Sequence, residues 1–92
     1  MKKALNIFVS GTLKKTGFRF YCMQKAVELG IKGTVSYTGS INIIVIIAEG
    51  EEKDLKKFLE WCSTGTPSCR VTEIETHEIG LKNYSGFDIV KK

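Results

Sequence analysis

The spacing of apolar residues changes period several times along the 92-residue chain. Ala4 to Ser10 is rich in Leu, Ile, Phe and Val and alternates, which predicts a strand. From Phe20 to Leu29 the period lengthens, with Met23, Ala26, Val27 and Gly30 at i, i+3, i+4 and i+7 on one helical face. Gly30 and Lys32-Gly33 stop that helix. Ile31 to Tyr37 alternates again, Ile31, Val35 and Tyr37 on one side and Lys32, Thr34 and Ser36 on the other. Thr38-Gly39-Ser40 supplies a turn and Ile41 to Ala48 returns, which makes a hairpin. The returning strand is apolar on both faces and so belongs in the middle of a sheet.

Glu49-Gly50-Glu51-Glu52 reads as the opening of a second helix, its acids placed where the helix dipole favours them. Leu55, Phe58, Leu59 and Cys62 give it a buried face, and Gly65-Thr66-Pro67 ends it. Arg70 to Ile79 has the mixed pattern of an edge strand, and Phe87-Asp88-Ile89 forms a last short one. Two right-handed crossovers put both helices on one face of an antiparallel sheet. The fold expected is α+β, a ferredoxin-like βαββαβ plait, with residues 1–92 forming a single domain.

Composition narrows the function classes. An apolar fraction of 42% and a charged fraction of 26% suit a globular domain. The longest apolar run, Ile43 to Ala48, is far short of the roughly 20 residues a bilayer span needs, so no membrane is expected and a cytoplasmic location is the default. Cys22, Cys62 and Cys69 lack metal-ligand spacing and read as structural thiols, so no metal site is expected. His77, the single histidine, reads as a strand-surface side chain rather than part of a catalytic relay. Phe58 and Trp61 read as core, and Lys53, Lys56, Lys57, Glu52 and Glu60 as a solvated helix face. The net charge of +4 favours anionic partners.

That charge concentrates at Val9-Ser10-Gly11-Thr12-Leu13-Lys14-Lys15-Thr16-Gly17-Phe18-Arg19, between the first strand and the first helix. Backbone amides at a helix start lack intrahelical partners and favour an anion. Gly11 and Gly17 allow close backbone approach or positive φ. Arg19 adds a planar fork suited to two phosphate oxygens. The corner therefore reads as a phosphate cradle, against the blander reading of a solvated basic loop.

The same residues resemble acylphosphatases, whose pattern is V-x-G-x-V-Q-G-V-G-F-R, a helix, then L-G-L-x-G-W-V-R-N-x-x-D-G. This chain has V-S-G-T-L-K-K-T-G-F-R, then L-G-I-K-G-T-V-S-Y-T-G-S, and the likeness continues through Gly65, Pro67, Tyr84, Phe87 and Ile89. The resemblance implies hydrolysis of a carboxyl–phosphate anhydride without metal or cofactor. It places the phosphoryl group on Leu13, Lys14, Lys15, Thr16, Gly17, Phe18 and Arg19, with Arg19 catalytic. The partner implied is a small phosphorylated metabolite or inorganic phosphate, and a monomer is expected.

The chain departs from the pattern at three places, one of them the hairpin turn, where the family's D-G is Ser40-Ile41. Tyr37 stands where the family has the asparagine that orients the attacking water, and Asn42 lies across the turn, out of register. The family's Q-G-V is Lys14-Lys15-Thr16. Tyr37, Ser36 or Thr38 would have to hold the water, and weakened or absent hydrolysis is expected. One alternative is a phosphate- or anion-binding module of the same fold that turns nothing over. Another is an RNA-binding plait, disfavoured because Ile41 to Ala48 carries no aromatic on which a base could stack.

Overall fold

The computed structural model describes residues 1–13, 17–38, 43–64 and 70–90. The elements in order are β1 (Lys2–Thr12), α1 (Phe18–Glu28), β2 (Lys32–Tyr37), β3 (Ile43–Glu51), α2 (Glu52–Thr64), β4 (Arg70–Ile79) and β5 (Phe87–Val90). They build one sheet of order β4-β1-β3-β2-β5. β1 pairs antiparallel with β3 and β4, and β2 antiparallel with β3. This is the expected plait, with β3 central and β4 at an edge. β5 adds a feature that the pattern left unplaced: it runs parallel to β2, so the five-stranded sheet is mixed.

Register fixes which side chains face the helices. Val9 lies opposite Ile44, Ile7 opposite Ile46, and Ile46 opposite Val35. All five are fully buried. Each such side chain contributes about 1.5–3 kcal/mol relative to exposure. From the helices, Phe18, Cys22, Ala26, Leu55, Phe58 and Cys62 complete the core. Phe58 stacks on Trp61, centroids 6.3 Å apart, and meets Phe87 edge-on. Cys22 is pushed well above its ordinary thiol value by burial and by its hydrogen bond to Cys62, which makes it an inert thiol. Cys69 lies outside the described residues.

Three expectations need correction. The buried stripe of α1 is Phe18, Cys22 and Ala26, and Val27 is 64% exposed. The i, i+4, i+8 row starts at Phe18 because the helix begins two residues earlier than its apolar period suggests. Glu49, Gly50 and Glu51 end β3 rather than opening α2. The mixed pattern of β4 has a concrete cause: pairing slips between Ser10 and Gly11, from Glu73 to Val71. The extra residue, Thr72, lets Val71 and Ile74 both pack against the core. Its hydroxyl donates to the Ser10 carbonyl oxygen at 3.2 Å.

Candidate active site

Past the bulge β1 still pairs with β4, at the glycine that opens the basic corner. Gly11 has φ 151, and a Cβ there would lie 1.9 Å from the Arg70 carbonyl oxygen. Only glycine fits so close to the neighbouring backbone. Leu13 and Phe18, both 0% exposed, then pin the two ends of the loop into the core. Phe18 packs against Trp61 at 5.4 Å. Lys14, Lys15 and Thr16 lie outside the described residues, as do Gly39, Ser40 and Asn42.

Gly17 caps α1 in the left-handed region, φ 76 and ψ 13, without a side-chain hydrogen bond, and the first turn holds no acid. Gly17 thus offers the leading amides of the helix no side-chain acceptor. Arg19 follows two residues later, half-buried. Among the described residues no carboxylate pairs with it. Its guanidinium instead lies 4.1 Å from the centroid of the Tyr37 ring. Tyr37 is held there because it pairs with Ile44 on the helix side of the sheet and packs against the core.

Stacking of this kind is worth about 0.5–1 kcal/mol when exposed and up to about 2 when desolvated. The contact leaves the guanidinium its positive charge to offer an oxyanion. Two of the residues singled out from sequence, Arg19 and Tyr37, are therefore in direct contact. Ser36 is not with them: it pairs with Val45 and Val90 on the opposite sheet face. Thr38 follows β2, and its amide and hydroxyl both donate to the Ile43 carbonyl oxygen, at 3.2 and 3.3 Å.

Two features escaped the sequence reading. Phe20 and Tyr21 leave their rings 50% and 45% exposed beside the loop; the adjacent aromatics just after Arg19 were the available signal. Glu49, 6% exposed, accepts backbone hydrogen bonds from Lys82, Asn83 and Tyr84 at 2.6, 3.1 and 3.0 Å. Its partners are amides, which no residue pattern announces. Burial alone would raise its carboxyl, but those three bonds and Lys2 outweigh it and hold the carboxyl below its ordinary value.

These features define a small α+β plait whose first helix begins in a glycine-led turn beside an arginine. The relatives narrow the class. The acylphosphatase family model matches residues 5–89. An acylphosphatase from Archaeoglobus fulgidus is 38% identical over 86 residues, covering 94% of this chain and 96% of that protein. The acylphosphatase structure from Bacillus subtilis superposes with a TM-score of 0.90 at 31% identity, covering 98% and 99% of the two chains. That from Coxiella burnetii gives 0.92 at 27%, covering 97% and 93%. The chain belongs to the acylphosphatase family.

Proposed function

We propose that the protein hydrolyses acyl phosphates slowly, because Tyr37 occupies the place of the family's water-orienting asparagine. The phosphoryl group sits against the amides of residues 13–19 and the in-plane N–H groups of Arg19. Water attacks phosphorus in line with the departing carboxylate, the P–O bond to that carboxylate breaks, and the protons of the water remain with the phosphate. A carboxylate leaves readily, so positioning and charge stabilisation do most of the work.

The observation that carries this reading is the 4.1 Å stack of Arg19 on Tyr37. The ring holds the charged head of Arg19 at this corner, which favours phosphate binding. It also places a broad apolar surface where an amide would hold water, leaving only the phenol oxygen for that task. Loss of one oriented contact in a site of this kind costs on the order of 10²–10³ in rate. The same stack supports the second reading, an anion-binding module without turnover.

Hydrolysis of benzoyl phosphate at neutral pH with a chelator present separates the two readings. Slow wild-type turnover that Arg19→Ala abolishes is the expected result, with Tyr37→Asn faster by about tenfold or more. Activity only in Tyr37→Asn supports the silent module. Silence in wild type, Arg19→Ala and Tyr37→Asn alike sinks the hydrolase reading.

A further inference from the structure

Phe20 and Tyr21 are large aromatic residues at the start of α1, 50% and 45% exposed. Their rings meet edge to face, centroids 5.7 Å apart at 69°. They are also joined to the loop. The Tyr21 ring lies over Gly17, its Cε2 carbon 3.3 Å from where a Cβ on that glycine would stand, and the Tyr21 amide donates to the Gly17 carbonyl oxygen at 3.0 Å.

The position of this pair relative to Arg19 gives it a direction. Residues 19 and 21 are two apart on a helix, about 200° around the axis. Arg19 leans to the β2 side, over Tyr37, so Tyr21 stands on the far flank of the same helix. In-line displacement at phosphorus places the leaving oxygen opposite the attacking water. With water on the side of residue 37, the acyl group departs on the opposite side, toward Gly17 and Tyr21.

We infer that Phe20 and Tyr21 form a shelf for the acyl half of the substrate and select a flat aromatic acyl group over a short aliphatic one. Aromatic rings gain from edge-to-face or offset contact with another ring beyond the area they bury. A methyl group offers neither that geometry nor comparable surface. The inference rests on the hydrolase reading for the direction of the leaving group, while the shelf itself can be measured without turnover.

The test uses two non-hydrolysable phosphonates, phenylphosphonate and methylphosphonate, titrated calorimetrically into the full chain. Phenylphosphonate should bind the wild type about tenfold tighter. The ratio should fall toward one in Phe20→Ala/Tyr21→Ala and survive in Tyr21→Phe, because the ring rather than the hydroxyl forms the shelf. Equal affinities in the wild type, or a preference that persists in the double alanine variant, overturns the inference. Hydrolysis of acetyl phosphate and benzoyl phosphate is followed in parallel. Absence of turnover with an intact phenyl preference counts against the hydrolase reading and leaves the shelf standing. Turnover of both substrates at equal kcat/KM counts against the shelf alone.

Discussion

The two helices lie on one face of the same sheet and begin in opposite ways. α2 starts with Glu52 and Asp54 in its first turn, and the Glu52 amide donates to the Met1 carbonyl oxygen at 3.1 Å. Its positive end is answered from inside the chain. α1 starts at a glycine with no side-chain cap and no acid, and adds Arg19 to the positive charge already there. The loop at Lys82, Asn83 and Tyr84 belongs with α2, since Glu49 meets its amides internally. Both of these places hold a carboxylate of the chain close to backbone amides, and the start of α1 is the contrast. On the proposed reading, that positive end is the one that meets the phosphoryl group.

The contrast is broken hardest at Arg19. Arg19→Lys keeps the charge and loses both the planar fork and the stack on Tyr37. Acyl phosphate turnover should fall about 10²-fold with the melting temperature nearly unchanged, as paired kinetics and calorimetry would show. Next comes an internally filled cluster. Glu49→Ala leaves three backbone donors without their acceptor and should cost on the order of 3 kcal/mol, with amide exchange accelerated first at residues 82–84. The folded carboxyl titrates below its ordinary value of 4.5. Its contribution is thus fully present above that value and is lost as pH falls through the lower folded one. A wild type whose denaturation midpoint is flat with pH below 4.5, or as steep as that of Glu49→Ala, would contradict this role.

Much of this contrast was legible in the sequence, because period reports which face a side chain takes. The plait, the central β3 and the basic corner with Gly11, Gly17 and Arg19 all follow from spacing and residue type. Two other features depended on distant partners. Glu49 looks like a helix-opening acid until the end of β3 is known, since acids are equally at home in either place. Tyr37 could be assigned to the core side by alternation, yet nothing local says that a guanidinium will cover its ring. The bulge at Thr72 is likewise a property of the pairing of two strands, and in one strand alone it shows only as a broken alternation.

A carboxylate can be supplied to α1 to make it resemble α2. Gly17→Asp places an acid at the uncapped turn. The left-handed backbone costs a non-glycine residue about 1 kcal/mol, and the Cβ meets only the movable Tyr21 ring, so the fold should persist. Inhibition by inorganic phosphate should weaken about tenfold, the equivalent of 1.4 kcal/mol, with Gly17→Ala as the control for backbone strain. Equal weakening in the two variants would mean that backbone geometry, and not the open positive end, governs the site.

The smallest effect is expected from removing an acid where one is already present. Glu52 accepts from Lys3 at 2.8 Å, and that hydrogen bond, with the charge of Lys3, holds its carboxyl below the ordinary value. Glu52→Gln removes the charge from the start of α2 and from an exposed ion pair, whose worth is small in water and smaller in salt. The melting temperature should drop slightly at low ionic strength and above pH 4.5. The difference from wild type should fade as pH falls through the lowered carboxyl value, and again as salt is added. Phosphate inhibition should not move at all if, as proposed, the anion sits at the start of α1. A change in phosphate affinity here as large as that from Gly17→Asp would mean that the two helix starts act through the net field of the domain, and that the open turn at Gly17 has no special claim on the anion.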